Sequence, residues 1–478
     1  MAEHEFDLVV IGGGPTGENV ADRAVAGGLS VALVEAGLVG GECSYWACIP
    51  SKTLLRPAAA LGQAKAVQGS AQAVTGVIDA RAVLRRRDEM VAGFDDSGQA
   101  DWLKGAGVTL VRGRGRITAP RIVEATGPDG ATVTLTARLA VAVCTGSVPV
   151  LPPIPGLAQA QPWTNREATA AESVPDSLVV VGGGVVACEL AWAWRSLGAR
   201  VHQLVRGPRL LAGNEPFAGE LVAAALREAG VDLRMETETV EVSRVPGGER
   251  TVRFTTGGRS ESVTAAELLM ATGRRPATDG LGLEALGLGT AALADVDDDC
   301  RVRGVAGGWL YSVGDVNGRA ALTHMGKYQA RAVGDTIAAR SRGEAAEPRP
   351  WTRWAATADH RAVPQVIFTE PEVAAVGLTE HAAREAGLRV RAVEYDLGSV
   401  SGATLFDPGY RGRAKMVVDE DRQVVVGATL VGPGVGELIH AATVAVVGEV
   451  PLERLWHAVP SFPTVSEVWL RLLETYGR

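Results

Sequence analysis

The sequence predicts an α/β fold with two βαβ domains built on parallel sheets, followed by a third domain of α+β type. Three observations carry this. An apolar run, a glycine-rich turn and a helical stretch succeed one another at residues 6–28. The same succession returns at residues 178–197, and the composition changes after residue 349. At roughly 150 residues per domain, the 478 residues leave room for about three such bodies with cores of their own.

Phe6 to Ile11 reads as a buried parallel strand, Gly12 to Gly17 as the turn, and Glu18 to Gly28 as the crossover helix. Ser30 to Val34 is a second strand ending at Glu35. In the second unit, Leu178 to Val181 is strand-like, Gly182 to Gly184 turn-like, Val185 to Leu197 helical, and Val201 to Val205 strand-like. Gly12 and Gly182 lie too far apart for a short tandem repeat, so the copies are read as separate domains. Between them Arg85 to Leu103 is expected to form one charged helix, and Val108 to Ala142 shows β-like alternation. Pro149, Pro152, Pro153 and Pro155 mark a connection, as does Gly343 to Arg349. Strand-like Gln365 to Thr369 and Gln423 to Val431 and helix-like Gly436 to Val447 make the last stretch α+β.

Composition narrows the function. Hydrophobic residues are 46% and charged residues 21%, which is globular. A net charge of −8 argues against nucleic acid or an anionic membrane as partner, and the basic patches Arg85 to Arg87 and Arg112, Arg114 and Arg116 read as solvated faces. The 59 glycines, about 12% against a usual ~7%, point to tight turns and close approaches of backbone to ligand. Cysteines 43, 48, 144, 188 and 300 are too few and too uneven for a secreted disulfide frame, so a reducing, cytoplasmic location is expected. Glu3 and Glu5 precede the first apolar run with no basic n-region, which argues against a signal peptide. The longest candidate span, Leu178 to Trp194, is broken by three glycines and Glu189, so a soluble protein is expected.

Gly12, Gly14 and Gly17 fit GxGxxG. The first glycine makes the turn, the second admits a pyrophosphate, and the third packs helix on strand beneath N–H groups at the helix start. Glu35, at the end of the second strand, is placed to accept from ribose hydroxyls. These features make the first unit a Rossmann-like dinucleotide site. The second fingerprint, Gly182, Gly184 and Ala187, carries the permitted alanine. Its second strand runs into Arg206 and Arg209 where the first has Glu35. An arginine there can pair with a 2′-phosphate, favouring NADPH over NADH, or can be an ordinary surface residue.

Cys43 and Cys48 stand in the stretch Gly40 to Lys52. A zinc site would want further Cys or His nearby and finds none, so no metal is expected. Four intervening residues at a helix start can instead bring two thiols together as a closable disulfide, with Lys52 favouring thiolate.

The pairing of GxGxxG with Gly40 to Lys52 resembles the flavin-dependent pyridine nucleotide-disulfide oxidoreductases, the group of dihydrolipoamide dehydrogenase, glutathione reductase and mercuric reductase. Cys144 to Ser147 and Ala271 to Pro276 are similar to the family's two ATG-type turns, and Tyr311 to Asp315 to its second flavin motif. Phe368 to Glu372 and Gly436 to His440 are similar to its interface-domain signatures. The resemblance implies an FAD-binding domain at residues 1–152 and 272–345, an NAD(P)H-binding domain at 153–271, and a dimerisation domain at 346–478. It implies that Gly12, Gly14, Gly17, Glu35, Lys52, Gly115, Gly146, Asp315 and Thr323 hold FAD, and that Gly182, Gly184, Ala187, Arg206, Arg209 and Gly273 hold NADPH or NADH. Lys52 would pair with Glu189 beside the flavin, unless Glu189 simply favours the early turn of its helix. Cys48 would face the flavin ring and Cys43 would be the interchange thiol of a homodimer.

The departures bear on the acceptor. In the family's disulfide reductases a C-terminal histidine, oriented by a glutamate, is the acid–base partner of the interchange thiol. Phe462 stands at that position while Glu467 remains. Phenylalanine can neither transfer a proton nor stabilise a thiolate. His457 is a substitute base or a structural loop residue. Mercuric reductase also uses a C-terminal cysteine pair, and no cysteine follows Cys300 here. Glu42 replaces the usual threonine, and Tyr45 and Trp46 lie between the cysteines, either as packing or as a stacking surface. The sequence is thus expected to encode a homodimeric NAD(P)H oxidoreductase that passes electrons through FAD and Cys43/Cys48 to a small, quinone-like acceptor. The alternatives are a low-molecular-weight disulfide reductase of the dihydrolipoamide, mycothione or glutathione type, a metal-ion reductase, and a redox-sensing or electron-transfer flavoprotein.

Overall fold

The computed structural model describes residues 3–244 and 248–477. Its chain divides into two compact units. One gathers Met1–Ile49, Asp88–Val148 and Arg274–His360, the other Pro50–Arg87, Pro149–Gly273 and Arg361–Arg478.

The first unit is built on a mixed seven-stranded sheet. Its order is Thr109–Arg112, Val31–Glu35, Glu3–Ile11, Thr132–Val143, Ile122–Thr126 and Arg114–Ala119, with Leu310–Ser312 also paired to Thr132–Val143. The strands around Glu3–Ile11 run parallel, with Leu8 opposite Val31 and Ala140. Parallel strands are covered on both faces, which explains why Leu8, Val9 and Val10 are all fully buried and show no alternation. The helix Pro15–Ala26 covers one face and packs along the Thr323–Ser341 helix.

The second unit repeats the theme in a four-stranded parallel sheet of Asp232–Arg234, Arg200–Leu204, Ser177–Val181 and Glu267–Met270. An antiparallel meander follows Asp232–Arg234: Thr237–Arg244, Arg250–Thr256 and Arg259–Ala265. The C-terminal part is a five-stranded antiparallel sheet ordered Pro364–Ile367, Glu372–Gly377, Val424–Gly432, Arg413–Asp419 and Val390–Asp396. Helices Ile439–Val447 and Glu467–Tyr476 pack on it. This is the α/β architecture the sequence predicts.

Two sequence expectations are corrected. The charged helix expected over Arg85 to Leu103 is two helices, Ala80–Met90 and Ser97–Gly105, parted by left-handed residues at Ala92 and Phe94. The break frees Asp96, whose carboxylate accepts from Val39 N–H at 2.6 Å and from both terminal nitrogens of Arg112. The basic patches are not simply solvated faces either. Arg87 is 1% exposed and donates to the carbonyls of Thr169 and Ala171, so it closes a helix end that apolar pattern alone does not reveal.

Candidate functional site

In the first unit, no side chain caps the helix Pro15–Ala26, which leaves its first N–H groups open beside Gly14. A Cβ on Gly17 would fall 1.8 Å from the Gly12 carbonyl oxygen, so only glycine lets the helix start lie against the turn. A Cβ on Gly14 would meet nothing within 4 Å. Uncapped N–H groups over an open glycine are what a pyrophosphate requires, so these residues fit a dinucleotide. Glu35 accepts from Gly13 N–H and Gly37 N–H, both at 2.6 Å. Its carboxylate therefore ties the end of the second strand to the glycine turn, a task the ribose expectation did not include. Gly115 lies on the strand Arg114–Ala119, and Gly146 adopts a φ of 73° just before Ser147.

Cys43 lies on the short helix Gly41–Tyr45, and Cys48 opens the helix Cys48–Ala66. The loop before them is anchored by Gly40 N–H on the Gly13 carbonyl at 2.8 Å, and a Cβ on Gly41 would press 3.0 Å from Gly14 Cα. The two cysteines are not joined as a disulfide in this structure, and both are half-buried. The Cys43 thiol is pushed far above the usual thiol range, first by its hydrogen bond with Cys48, then by burial and the charge of Cys48. Thr323 and Lys327 act in the opposite direction. Thr323 Oγ1 lies 3.3 Å from Cys48 Sγ. Burial also pushes the Glu18 carboxyl up to about 7, with Lys327 opposing and Glu35 adding to the rise.

Asp315 accepts from Ser147 Oγ at 2.7 Å. Ser147 Oγ in turn accepts from Arg274 Nε at 2.8 Å, and Arg274 reaches Glu42 Oε2 at 3.5 Å. Sequence reading noted Glu42 as a departure but did not find this chain of contacts. It joins residues far apart in sequence, and the unusual acid beside Cys43 was its one visible signal. Tyr45 is 1% exposed, and the Trp46 ring stacks on Phe94 with centroids 6.4 Å apart. Tyr45 is a packing residue.

In the second unit, Gly182 has a φ of 139°, and a Cβ there would lie 2.2 Å from the Ala271 carbonyl oxygen. Gly184 opens the helix Val185–Ser196 without a side-chain cap, and Ala187 is buried beneath it. Gly273 has a φ of 123° and accepts from Val150 N–H through its carbonyl. Arg206 is exposed and, among the described residues, has no hydrogen-bond or ion-pair partner. It lines a groove of about 380 Å³ that also contains Glu236 and Glu238. Arg209 donates to the Ala212 carbonyl at 3.0 Å.

Lys52 and Glu189 are brought together, Nζ to Oε2, at 2.6 Å. Phe368 N–H donates to Glu189 Oε1 at 3.0 Å, and the Lys52 ammonium lies 4.9 Å from the Phe368 ring centroid. Both oxygens of this buried carboxylate are thus engaged, which is how its charge is kept at 3% exposure. Phe462 is 76% exposed. Glu467 is buried, and its carboxylate accepts from Gly402 N–H at 3.1 Å. His457 is exposed, and its ring has no hydrogen-bond or ion-pair partner among the described residues. No cluster of three or more His, Cys, Asp or Glu among the described residues is arranged to hold a metal ion, and no helix among them is long and apolar enough to cross a membrane.

Residues 6–330 match the model of the pyridine nucleotide-disulphide oxidoreductases, and residues 363–472 match that of the family's dimerisation domain. The chain belongs to the pyridine nucleotide-disulphide oxidoreductase family. It is an enzyme of that family, and its cofactors are FAD and NAD(P)H. This oxidoreductase is 32% identical over 466 residues to a dihydrolipoyl dehydrogenase of Chlorobaculum tepidum, covering 97% of this chain and 95% of that one. It is also 32% identical over 479 residues to a mercuric reductase of Streptomyces lividans, covering 100% and 97%. Among solved structures, LpdA from Mycobacterium tuberculosis superposes with a TM-score of 0.81 at 25% identity over 100% of both chains. A Cu(II) complex of the HOCl-induced flavoprotein disulfide reductase RclA from Escherichia coli gives a TM-score of 0.82 at 23% identity, covering 98% of this chain and 99% of that one, and so shares the oxidoreductase's fold.

Proposed function

We propose that this oxidoreductase is a homodimer that takes hydride from NADPH, with NADH the weaker donor, and passes two electrons through Cys43 and Cys48 to a quinone-like acceptor. Residues 1–152 and 272–345 form its FAD-binding domain, 153–271 its NAD(P)H-binding domain and 346–478 its dimerisation domain. Bound FAD supplies an acceptor for hydride that passes the electron pair onward. Gly12, Gly14, Gly17, Glu35, Lys52, Gly115, Gly146, Asp315 and Thr323 hold it. Gly182, Gly184, Ala187, Arg206, Arg209 and Gly273 hold the nicotinamide nucleotide. Lys52, fixed by Glu189, keeps a cation where hydride arrives.

The observation that carries the acceptor is Phe462. An exposed phenyl ring stands where disulfide reductases of the family place an imidazole, while the glutamate, Glu467, is retained and accepts from Gly402 N–H. The ring of His457 has no hydrogen-bond or ion-pair partner among the described residues, so no contact marks it as the base. The test is NADPH-dependent turnover on a panel of quinones, small disulfides and metal ions, with oxygen measured beside them. A protein reduced once and then stalled with every acceptor would be a sensor and would overturn the proposal.

Cofactor choice has its own test. Charge-assisted bonds to a 2′-phosphate contribute about 1.5 to 3 kcal/mol each. With Arg206 exposed and Glu236 and Glu238 in the same groove, the lower end applies, about one decade in affinity. Arg206→Glu is expected to raise the KM for NADPH about tenfold or more while changing that for NADH little. An equal rise for both nucleotides would remove the phosphate role.

A further inference from the structure

We propose that Lys327 is the electrostatic partner of the interchange thiol, its ammonium compensating the charge that Cys43 carries as a thiolate. This rests on the reading of Cys43 and Cys48 as the redox pair, and it supplies the cation that Phe462 cannot. Thr323 is the first residue of the helix Thr323–Ser341, and its hydroxyl at 3.3 Å from Cys48 Sγ fixes which face of that helix meets the thiols. Residues four apart share a helix face, so Lys327 follows Thr323 on that same face one turn on. Lys327 is half-buried, and its charge acts on Cys43 and on Glu18.

Glu18 belongs to the helix Pro15–Ala26, which lies close along the Thr323–Ser341 helix. A Cβ on Gly326 would fall 2.3 Å from Thr16 Oγ1, and one on Gly334 would fall 2.6 Å from Arg23 Cβ. The Lys327 charge thus acts on a thiol and on a half-buried carboxyl, with Glu35 acting in turn on Glu18. Cys43 itself faces Cys48 from the next helix, and Thr323 and Lys327 from the Thr323–Ser341 helix. Its neighbour Glu42 is held by Arg274. Tyr45, on the same short helix, is acted on by Asp96, Glu18, Asp95 and Arg112.

Hydride from NAD(P)H brings two electrons and one proton, so that the S–S bond breaks and leaves one thiol and one thiolate. Transfer of the pair onward requires Cys43 to lose its proton as well, and a fixed cation lowers the cost of that step.

The experiment uses the flavin-loaded Cys48→Ser protein, in which Cys43 titrates alone, and follows iodoacetamide alkylation of Cys43 against pH. Lys327→Met is expected to move the half-point up by about one pH unit, so that alkylation below it slows about tenfold. Lys327→Arg is expected to keep the parent profile. Flavin absorbance reports folding, and Lys327→Gln takes the place of a Met variant that loses flavin. Superimposable profiles for the parent and the neutral variant overturn the proposal. The redox-pair reading fails separately, if the wild-type holoenzyme shows no long-wavelength absorbance after two-electron reduction.

Discussion

Cys48→Ser is expected to abolish the long-wavelength charge-transfer absorbance that two-electron reduction gives the wild-type holoenzyme, whereas Cys43→Ser is expected to show that band without any reductant. The band needs a thiolate against the flavin. The Cys43 thiol is pushed up by its hydrogen bond with Cys48 and by burial, so the thiolate of the reduced pair is expected on Cys48, the thiol that the family resemblance places against the flavin. Replacing Cys43 leaves Cys48 as a lone thiol that cannot close a disulfide, so its thiolate persists in the oxidised flavoprotein. Both variants should lose disulfide turnover on the order of 10⁴-fold or more, the scale seen when a catalytic nucleophile is removed. A band that survives in Cys48→Ser and disappears in Cys43→Ser would exchange the two roles.

The second large effect concerns the acceptor. Reducing a disulfide by thiol exchange expels a thiolate, and a placed imidazole is worth roughly 10²- to 10⁴-fold in such proton transfers. A quinone draws its protons from water and loses less when the imidazole is absent. The kcat/KM for a good quinone is therefore expected to exceed that for lipoamide or glutathione disulfide by at least about a hundredfold, the lower bound of that term. Phe462→His should raise disulfide turnover and leave quinone turnover little changed. Equal rates on a quinone and a small disulfide in the wild-type protein would withdraw the quinone assignment, and His457→Ala would then show whether His457 is the base.

The sequence by itself determined what depends on local pattern. The glycine turns at Gly12 to Gly17 and Gly182 to Ala187 were legible because positive φ and close approach admit so few residues there. Continuous apolar runs such as Leu178 to Val181 marked strands buried on both faces, and the Gly40 to Lys52 stretch identified the family with its FAD and NAD(P)H chemistry. The absence of histidine at Phe462 was equally plain.

Only the tertiary structure decided what depends on partners distant in the chain. The break between Ala80–Met90 and Ser97–Gly105 goes with contacts of Asp96 to Val39 and Arg112, residues outside both helices. The burial of Arg87 follows from carbonyls at Thr169 and Ala171, over eighty residues away. The tie from Glu42 through Arg274 and Ser147 to Asp315 joins four segments that no periodicity connects. No sequence motif singles out Lys327, whose proposed role rests on Thr323 on the same helix face meeting the thiols. Pattern reports which face of an element is apolar. Charges and hydrogen bonds are settled pair by pair, so their roles are fixed only when folding brings the second partner within reach.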